Sequence, residues 1–371
     1  MANDTLSNDI SNNNMQWIFD PIQPIESSWH DQAQRHQQQL TKPPGSLGRL
    51  EQIAECFCAW QSTLHPSIDN ILVAVFAGDH GVCQQQVSAF PQAVTGQMVA
   101  NFLEGGAAIS VLSQQLAAQF YVCNTGVLET LPSQYQKHPQ LIDRPVANGT
   151  QDFSMSAAMT AAQLEQALNL GREIVDHACH PKNTHQPLQL FVGGEMGIGN
   201  TTSASAIYAA LLGISVTDIV GRGAGVDDSG LERKQAAITA ALALHANVLS
   251  DPYQVLQCMG GFEIAALVGS YLYCAQQGIP VVVDGFICTS AALVAIRLNP
   301  DVKQWMIFSH CSQEAAHRLV LQILDVKPLV DIGLRLGEGS GAALIVPLLK
   351  SALLLHNSMA TFQRAGVSNS E

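Results

Sequence analysis

Charged side chains are scarce in this sequence, and basic ones are the scarcest. Asp, Glu, Lys and Arg make up 13% of the 371 residues, and 17 Lys and Arg against 30 Asp and Glu give a formal net charge of -13. The basic residues form no run. Because a nucleic-acid-binding surface needs clustered positive charge, the sequence argues against a nucleic acid as partner.

A disulfide framework, a secretion signal and a membrane span are also missing. The nine cysteines are odd in number and scattered, apart from Cys56 and Cys58, which is typical of a reducing compartment. Residues 1–15 are rich in Asn, Ser and Asp and lack the basic and apolar segments of a signal peptide, and no apolar run spans a bilayer without polar breaks. We therefore expect a cytoplasmic protein with no membrane partner, a disordered leader at 1–15 and a polar tail after about Gly366.

Apolar side chains are abundant, at 47% of the chain. Short β-branched or aromatic runs alternate with Ala- and Leu-rich stretches of helical length, which predicts an α/β fold with a parallel sheet covered by helices on both faces. The low charge further indicates that a partner subunit covers part of the surface, so we expect an oligomer. The predicted strands are 71–77, 119–123, 188–192, 218–220, 280–283 and 304–308; the predicted helices include 29–40, 49–64, 155–179, 202–212, 231–249, 262–277, 312–324 and 342–355.

Glycine-rich or polar segments follow five of the predicted strands, at the position where ligands bind in such sheets. We expect them to converge on one rim. The glycine turn before Asn200 is either a phosphate site or a simple helix cap, and the spacing of Gly221, Gly223 and Gly225 departs from the dinucleotide fingerprint. The five segments are 78–82, 193–202, 221–230, 284–286 and 309–312.

Other polar clusters leave two interpretations open. Asp79 and His80 are either a catalytic dyad, or His80 bonds a neighbouring backbone group. Asp227 and Asp228 either hold a divalent metal or cap a helix, and we favour the cap. A histidine- and cysteine-containing cluster fits no standard zinc spacing, so we predict no metal site there: His177, Cys179, His180 and His185.

Glu338 lies between Gly337 and Gly339, where a polar turn gives way to the apolar run 342–355. Flanking glycines allow positive φ and close approach of a ligand, and the first turn of the following helix offers N–H groups to an anion. The alternative is that Glu338 only complements the dipole of that helix.

Taken together, the motifs resemble those of the nicotinate-nucleotide:dimethylbenzimidazole phosphoribosyltransferase family. The resemblance runs in order from about Leu40 to Ser358, and its motifs are long and ungapped. They are residues 42–51, 79–82, 194–197 with 200–202, 260–262, 284–286, 309–310 and 335–343.

This resemblance implies transfer of phosphoribose from nicotinate mononucleotide to 5,6-dimethylbenzimidazole, giving α-ribazole 5′-phosphate and nicotinate for the lower ligand of cobalamin. It also implies a homodimer with a Rossmann-like sheet domain and a small helical domain built from both chain ends, without a metal or other cofactor. We place the sheet domain at 66–345 and the two parts of the small domain at 16–65 and 346–371, the latter including the polar tail.

The resemblance assigns roles to individual residues as well. Glu338 is expected to be the general base, and Glu195 the second acid, which orients the base or stabilises positive charge at C1′. Phe90 stands where a small polar residue can occur in the family, which leaves the preferred base open. The residues expected at the phosphate and ribose are Gly197, Lys234, Ser309, Gly337 and Gly339; those expected around the acceptor base are Phe90, Met98, Met196 and Leu336.

Two other classes of protein share some of these features. A nicotinamide-cofactor-dependent dehydrogenase also has glycine turns on a parallel sheet, but it would produce NADH. A non-catalytic nucleotide- or corrinoid-binding protein would keep the glycine turns and would have no use for Glu338.

Overall fold

The computed structural model describes residues 15–180, 187–223 and 225–368. Within these residues six parallel strands form one sheet, in the order β3-β2-β1-β4-β5-β6. The direction of winding reverses between β1 and β4, and ligands bind in the crevice at such a point. The strands are β1 Ile71–Gly78, β2 Gln119–Gly126, β3 Leu141–Asp143, β4 Leu190–Met196, β5 Val281–Val283 and β6 Met306–Phe308.

Helices cover both faces of the sheet, as predicted. They are α1 Ser27–Gln39, α2 Arg49–Trp60, α3 Ala93–Leu103, α4 Ala108–Gln115, α5 Ala161–Cys179, α6 Asn200–Leu212, α7 Val216–Ile219, α8 Asp228–Leu244, α9 Pro252–Met259, α10 Phe262–Gln276, α11 Phe286–Leu298, α12 His317–Ile323, α13 Ser340–Ser358 and α14 Phe362–Ala365. Short 3₁₀ helices lie at Gln16–Phe19, Gly81–Gln85 and Pro300–Trp305.

Alternate side chains of β1 enter two different cores. Leu72 and Phe76 pack with α5, α10 and α11, whereas Val73 and Val75 pack with α2, α3 and α13. All eight residues of β1 are buried, as expected for a central parallel strand. Full burial of an apolar side chain contributes roughly 1.5–3 kcal/mol, so the central strands are firmly held beneath the site.

The predicted strand 218–220 is wrong. Residues Val216–Ile219 form the short helix α7, which begins after Ser215, whose hydroxyl accepts a hydrogen bond from the amide of Asp218. A Ser cap outweighs the β-branched composition of so short a segment. Strand β3, only three residues long and not fully buried, was not predicted because its composition carries little signal.

The chain ends meet the rest of the fold in different ways. Residues 1–14 and 369–371 lie outside the described residues, so the expected leader and the end of the tail stay predictions. Met15, Trp17 and Ile18 are buried in the core beneath α5 and α10, whereas α1 packs on α2, and α2 packs on α13. The domain boundaries at 65/66 and 345/346 remain predictions.

One described helix, α13, is long and apolar enough to cross a membrane by length and composition alone. About half of it is buried inside the protein, where Ala343, Val346 and Leu349 pack against the sheet and α2. Its apolar character therefore fits the core helix of a globular protein.

Candidate active site

A cavity of about 260 Å³ lies at the carboxyl ends of β4 and β5. Its walls come from the glycine turn after β4, the segment after β5, the loop before α13 and the turn after α7. Four of the five predicted rim segments, 193–202, 221–230, 284–286 and 309–312, contribute residues to this cavity, although one of them follows a helix rather than a strand. Residues 78–82 are not among the lining residues.

Glu338 is held in a backbone conformation that is unusual for its residue type. Its φ is +65°, between Gly337 at +87° and Gly339 at +83°, and such non-glycine residues are concentrated at functional sites. The loop presses directly on β4, because a Cβ atom at Gly194 would overlap the carbonyl oxygen of Glu338. The conformation of this loop places the carboxylate of Glu338 at the cavity wall.

The environment of Glu338 makes it an unusually basic carboxylate. The residue is 7% exposed, and its Oε2 has no hydrogen-bond partner among the described residues. Burial, and then the nearby charge of Asp284, raise the pKa of Glu338 to about 7. A group with this pKa is suited to proton transfer near neutral pH.

Glu195, at the end of β4, is coupled to the same loop. It lines the cavity and is 5% exposed. Its Oε2 accepts a hydrogen bond from Asn200 Nδ2, and its Oε1 accepts one from the amide of Glu338 at 3.4 Å. Burial, followed by the charges of Asp284 and Glu263, holds the pKa of Glu195 well above its usual range.

Asp284 is a third acid of the site, and sequence reasoning gave it no role. It is 2% exposed, follows β5 and lines the cavity. Its oxygens accept hydrogen bonds from the amides of Ala342 at 2.8 Å and Gly339 at 3.2 Å. Asp284 therefore caps the start of α13 and fixes the loop that carries Glu338.

The residues predicted to bind phosphate divide into two groups. Gly197, Gly337 and Lys234 line the cavity, whereas Ser309 and Gly339 are not among the lining residues. The hydroxyl of Ser309 lies 2.9 Å from Nδ1 of His310, which does line the cavity. Ser309 therefore does not line the cavity itself but contacts the ring of His310, which does.

Lys234 extends from α8 into the site. It is 1% exposed, and its Nζ donates hydrogen bonds to Thr201 Oγ1 at 3.0 Å and to the carbonyl of Gly221 at 3.1 Å. Burial lowers the pKa of Lys234 to about 8, although Glu314 acts in the opposite direction. A buried ammonium at this position is well placed for an anionic ligand group.

The four residues predicted for the acceptor base all line the same cavity as Glu338. Phe90 and Leu336 are 50% and 59% exposed, which places both at an open part of the wall. Met98 and Met196 are partly buried against the apolar core. This wall suits a flat apolar ring.

The two sequence-based interpretations of His80 are both wrong. Asp79 accepts hydrogen bonds from the hydroxyl of Thr95 at 2.7 Å and from the amide of Leu128 at 2.8 Å. The ring of His80 instead pairs with Glu263, with Nε2 2.6 Å from Oε1. The two residues are 183 positions apart, so no local pattern could have indicated the pair.

Among residues 15–180, 187–223 and 225–368, no group of three or more His, Cys, Asp or Glu side chains is placed to hold a metal ion. Asp227 caps α8, accepting a hydrogen bond from the amide of Gly230 at 2.8 Å, which confirms the cap interpretation. His177 packs edge-on against Tyr121, and His185 lies outside the described residues.

Comparisons with known proteins give a consistent result. A family model described as Phosphoribosyltransferase matches residues 22–367. A nicotinate-nucleotide:dimethylbenzimidazole phosphoribosyltransferase of Pseudomonas fluorescens (strain Pf-5) is 52% identical over 96% of this chain and 99% of its own length, and that of Pseudomonas putida (strain W619) is 49% identical over the same shares. The crystal structure of CobT from Thermus thermophilus is 42% identical, covers 92% of this chain and 100% of its own, and superposes with a TM-score of 0.86.

Proposed function

The chain belongs to the nicotinate-nucleotide:dimethylbenzimidazole phosphoribosyltransferase family, and we propose that it transfers phosphoribose from nicotinate mononucleotide to 5,6-dimethylbenzimidazole. The products are α-ribazole 5′-phosphate, which enters the lower ligand of cobalamin, and nicotinate. The observation that carries this proposal is the buried carboxylate of Glu338, with a pKa raised to about 7, in a cavity that also has an apolar wall and a buried cation.

The leaving group of this reaction needs no acid catalysis from the protein. In nicotinate mononucleotide, C1′ of the ribose is bonded to a positively charged pyridinium nitrogen, so the ring departs with the bonding electron pair and needs no proton. The acceptor needs more help, because its attacking nitrogen becomes positive unless the proton on its other nitrogen is removed. A carboxylate placed at that N–H meets this need.

We assign this proton transfer to Glu338. Burial makes it a stronger base than an exposed carboxylate, and its Oε2 has no partner among the described side chains and amides. As the new bond to C1′ forms, the N–H of the base becomes more acidic and the proton passes to Glu338. General-base assistance of this kind typically contributes about 100- to 10,000-fold in rate.

Glu195 has a supporting role in the proposal. Its hydrogen bond from the amide of Glu338 joins the two acids, so it orients the base. Its raised pKa favours this orienting role over that of a carboxylate that stabilises positive charge at C1′.

We place the 5′-phosphate between the glycine turn at Gly197 and the ammonium of Lys234. The turn opens directly into α6, and the first turn of a helix attracts anions. Gly337 is expected to contribute at the ribose, Gly339 acts by fixing the loop through Asp284, and Ser309 acts through His310. The acceptor base lies against Phe90, Met98, Met196 and Leu336.

We also propose a homodimer in the cytoplasm, with the helical part built from 16–65 and 346–371. Large apolar side chains that remain exposed support a covering subunit: Leu344 is 42% exposed and Leu354 is 64% exposed, both on α13.

The direct test incubates the purified protein with nicotinate mononucleotide and a panel of benzimidazoles, purines and phenols, and identifies the ribosides by mass. The proposal predicts α-ribazole 5′-phosphate as the main product with dimethylbenzimidazole present. Formation of NADH from NAD would favour a dehydrogenase, and binding without any riboside would favour a non-catalytic nucleotide-binding protein.

A further inference from the structure

His80 and Glu263 form a buried pair below the cavity, and the proposed chemistry does not use it. His80 follows β1, and Glu263 lies in the first turn of α10. Both residues are 0% exposed, and Nε2 of His80 lies 2.6 Å from Oε1 of Glu263. Nδ1 of His80 and Oε2 of Glu263 have no partner within the described part of the chain, so the two side chains bond only to each other.

The carboxylate of Glu263 also affects the ionisation of His80. Burial alone would lower the pKa of His80, but the adjacent Glu263 carboxylate outweighs it and raises that pKa above its usual value. The pair lies within electrostatic reach of the acids of the site, because Glu263 and Asp284 both help to raise the pKa of Glu195.

The ring of His80 lies directly against the turn that leads into α6. A Cβ atom at Gly197 would be 3.3 Å from Cδ2 and Nε2 of the ring, and one at Gly199 would be 3.4 Å from Cβ of His80. A Cβ at Gly261 would overlap the ring from the opposite side. The backbone at Gly197, Gly199 and Gly261 therefore packs closely against His80.

A second connection ties the same chain segment to the same turn. The amide of Ile198 donates to Thr95 Oγ1 at 3.2 Å, and that hydroxyl donates to Asp79 Oδ1 at 2.7 Å. The turn is thus held from Asp79 through hydrogen bonds and from His80 through packing. Gly197, Ile198 and Gly199 all line the cavity. A change in the conformation of this turn would therefore change the shape of the ligand site.

We propose that His80 and Glu263 are a positioning pair, whose mutual hydrogen bond holds the turn Gly197–Gly199 in the conformation that binds the 5′-phosphate of the nucleotide. Neither residue touches substrate. The inference rests on the proposed function, since it concerns the phosphate end of that reaction's donor.

The test replaces Glu263 by Gln, which keeps the volume and exchanges the carboxyl group for an amide. We expect KM for nicotinate mononucleotide to rise at least tenfold, while kcat and KM for dimethylbenzimidazole change less than about threefold. The matched control is Glu51→Gln, which breaks a buried ion pair with Lys42, Nζ to Oε1 2.8 Å, away from the cavity. That variant is expected to lose thermal stability and to keep both KM values within about twofold.

Each outcome decides between a positioning role and a purely structural one. A Glu263→Gln protein that melts earlier but keeps the wild-type KM for the mononucleotide overturns the inference, as does an equal rise in both KM values. If Glu263→Gln does not fold, His80→Gln takes its place; if neither folds while Glu51→Gln does, the pair serves the fold and the inference is wrong.

Binding of nicotinate mononucleotide, measured by calorimetry, separates this inference from the proposed function. A wild-type protein that binds the mononucleotide without forming a riboside contradicts the proposed function, and the affinity of Glu263→Gln still tests the pair. An active wild type with an unaltered Glu263→Gln variant refutes the pair alone. A wild type that does not bind the mononucleotide overturns both.

Discussion

Replacing Glu338 by Gln should stabilise the protein at neutral and alkaline pH. In the unfolded chain this carboxyl loses its proton near its usual pKa of about 4.5, whereas the folded protein holds it until about pH 7. Stability is therefore lost as pH rises from about 4.5 to about 7, because the folded state resists ionisation in that range. A difference of about 2.5 pKa units at 1.36 kcal/mol each sets an upper bound of about 3 kcal/mol.

The assay is urea denaturation of the ligand-free wild type and of Glu338→Gln at pH 5 and pH 8. The difference in free energy of unfolding between variant and wild type should grow in favour of the variant by about 2 kcal/mol, up to about 3 kcal/mol, between these pH values. Using ligand-free protein avoids titration of the substrate phosphate.

Glu51→Gln provides the control for this experiment. Burial acts to raise the pKa of Glu51, but the ion pair with Lys42 and the hydrogen bond from the amide of Leu47 leave it below its usual value. Glu51 is thus ionised in both states above pH 5, and its replacement should cost a similar amount of stability at pH 5 and pH 8. A stability difference for Glu338→Gln that does not change with pH would refute a raised pKa at Glu338.

Three further predictions concern the ligands. Lys234→Met should raise KM for nicotinate mononucleotide roughly 10- to 100-fold, since a hydrogen bond to a charged group contributes about 1.5–3 kcal/mol; initial rates with the mononucleotide varied test this, and an unchanged KM would remove Lys234 from the phosphate site. Phe90→Ser should raise KM for dimethylbenzimidazole roughly five- to tenfold, because an aromatic contact contributes about 1 kcal/mol; equal KM values in variant and wild type would place the base elsewhere. Activity should persist in excess EDTA, because the pyridinium leaving group is already activated; loss of activity that Mg²⁺ restores would contradict this.

The sequence predicted the sheet well where strands are central and fully buried. β1 is a continuous, fully buried apolar run that ends in glycine, and β4 begins with a buried apolar run that two glycines follow, so composition and burial agree. The prediction was wrong at α7, where the Ser215 cap favours a helix over a strand in a four-residue segment. It missed β3, which is short and only half-buried. In both places the local signal is too small to outweigh the surrounding structure.

The site was predictable to the extent that its residues sit in long motifs. Glu338 between two glycines is a conspicuous local pattern, and the structure places it at the cavity wall. The role of Asp284 was not visible, because its partners are the amides of Gly339 and Ala342, 55 and 58 residues away. The partner of His80 was hidden for the same reason, since long-range pairing follows from the fold and leaves no local pattern.

The measurement that bears most directly on the central claim compares turnover and donor binding in Glu338→Gln. The account predicts that formation of α-ribazole 5′-phosphate falls at least about 100-fold, while the dissociation constant for nicotinate mononucleotide stays within about threefold of wild type. A variant that keeps most of its turnover would contradict the assignment of Glu338 as the base.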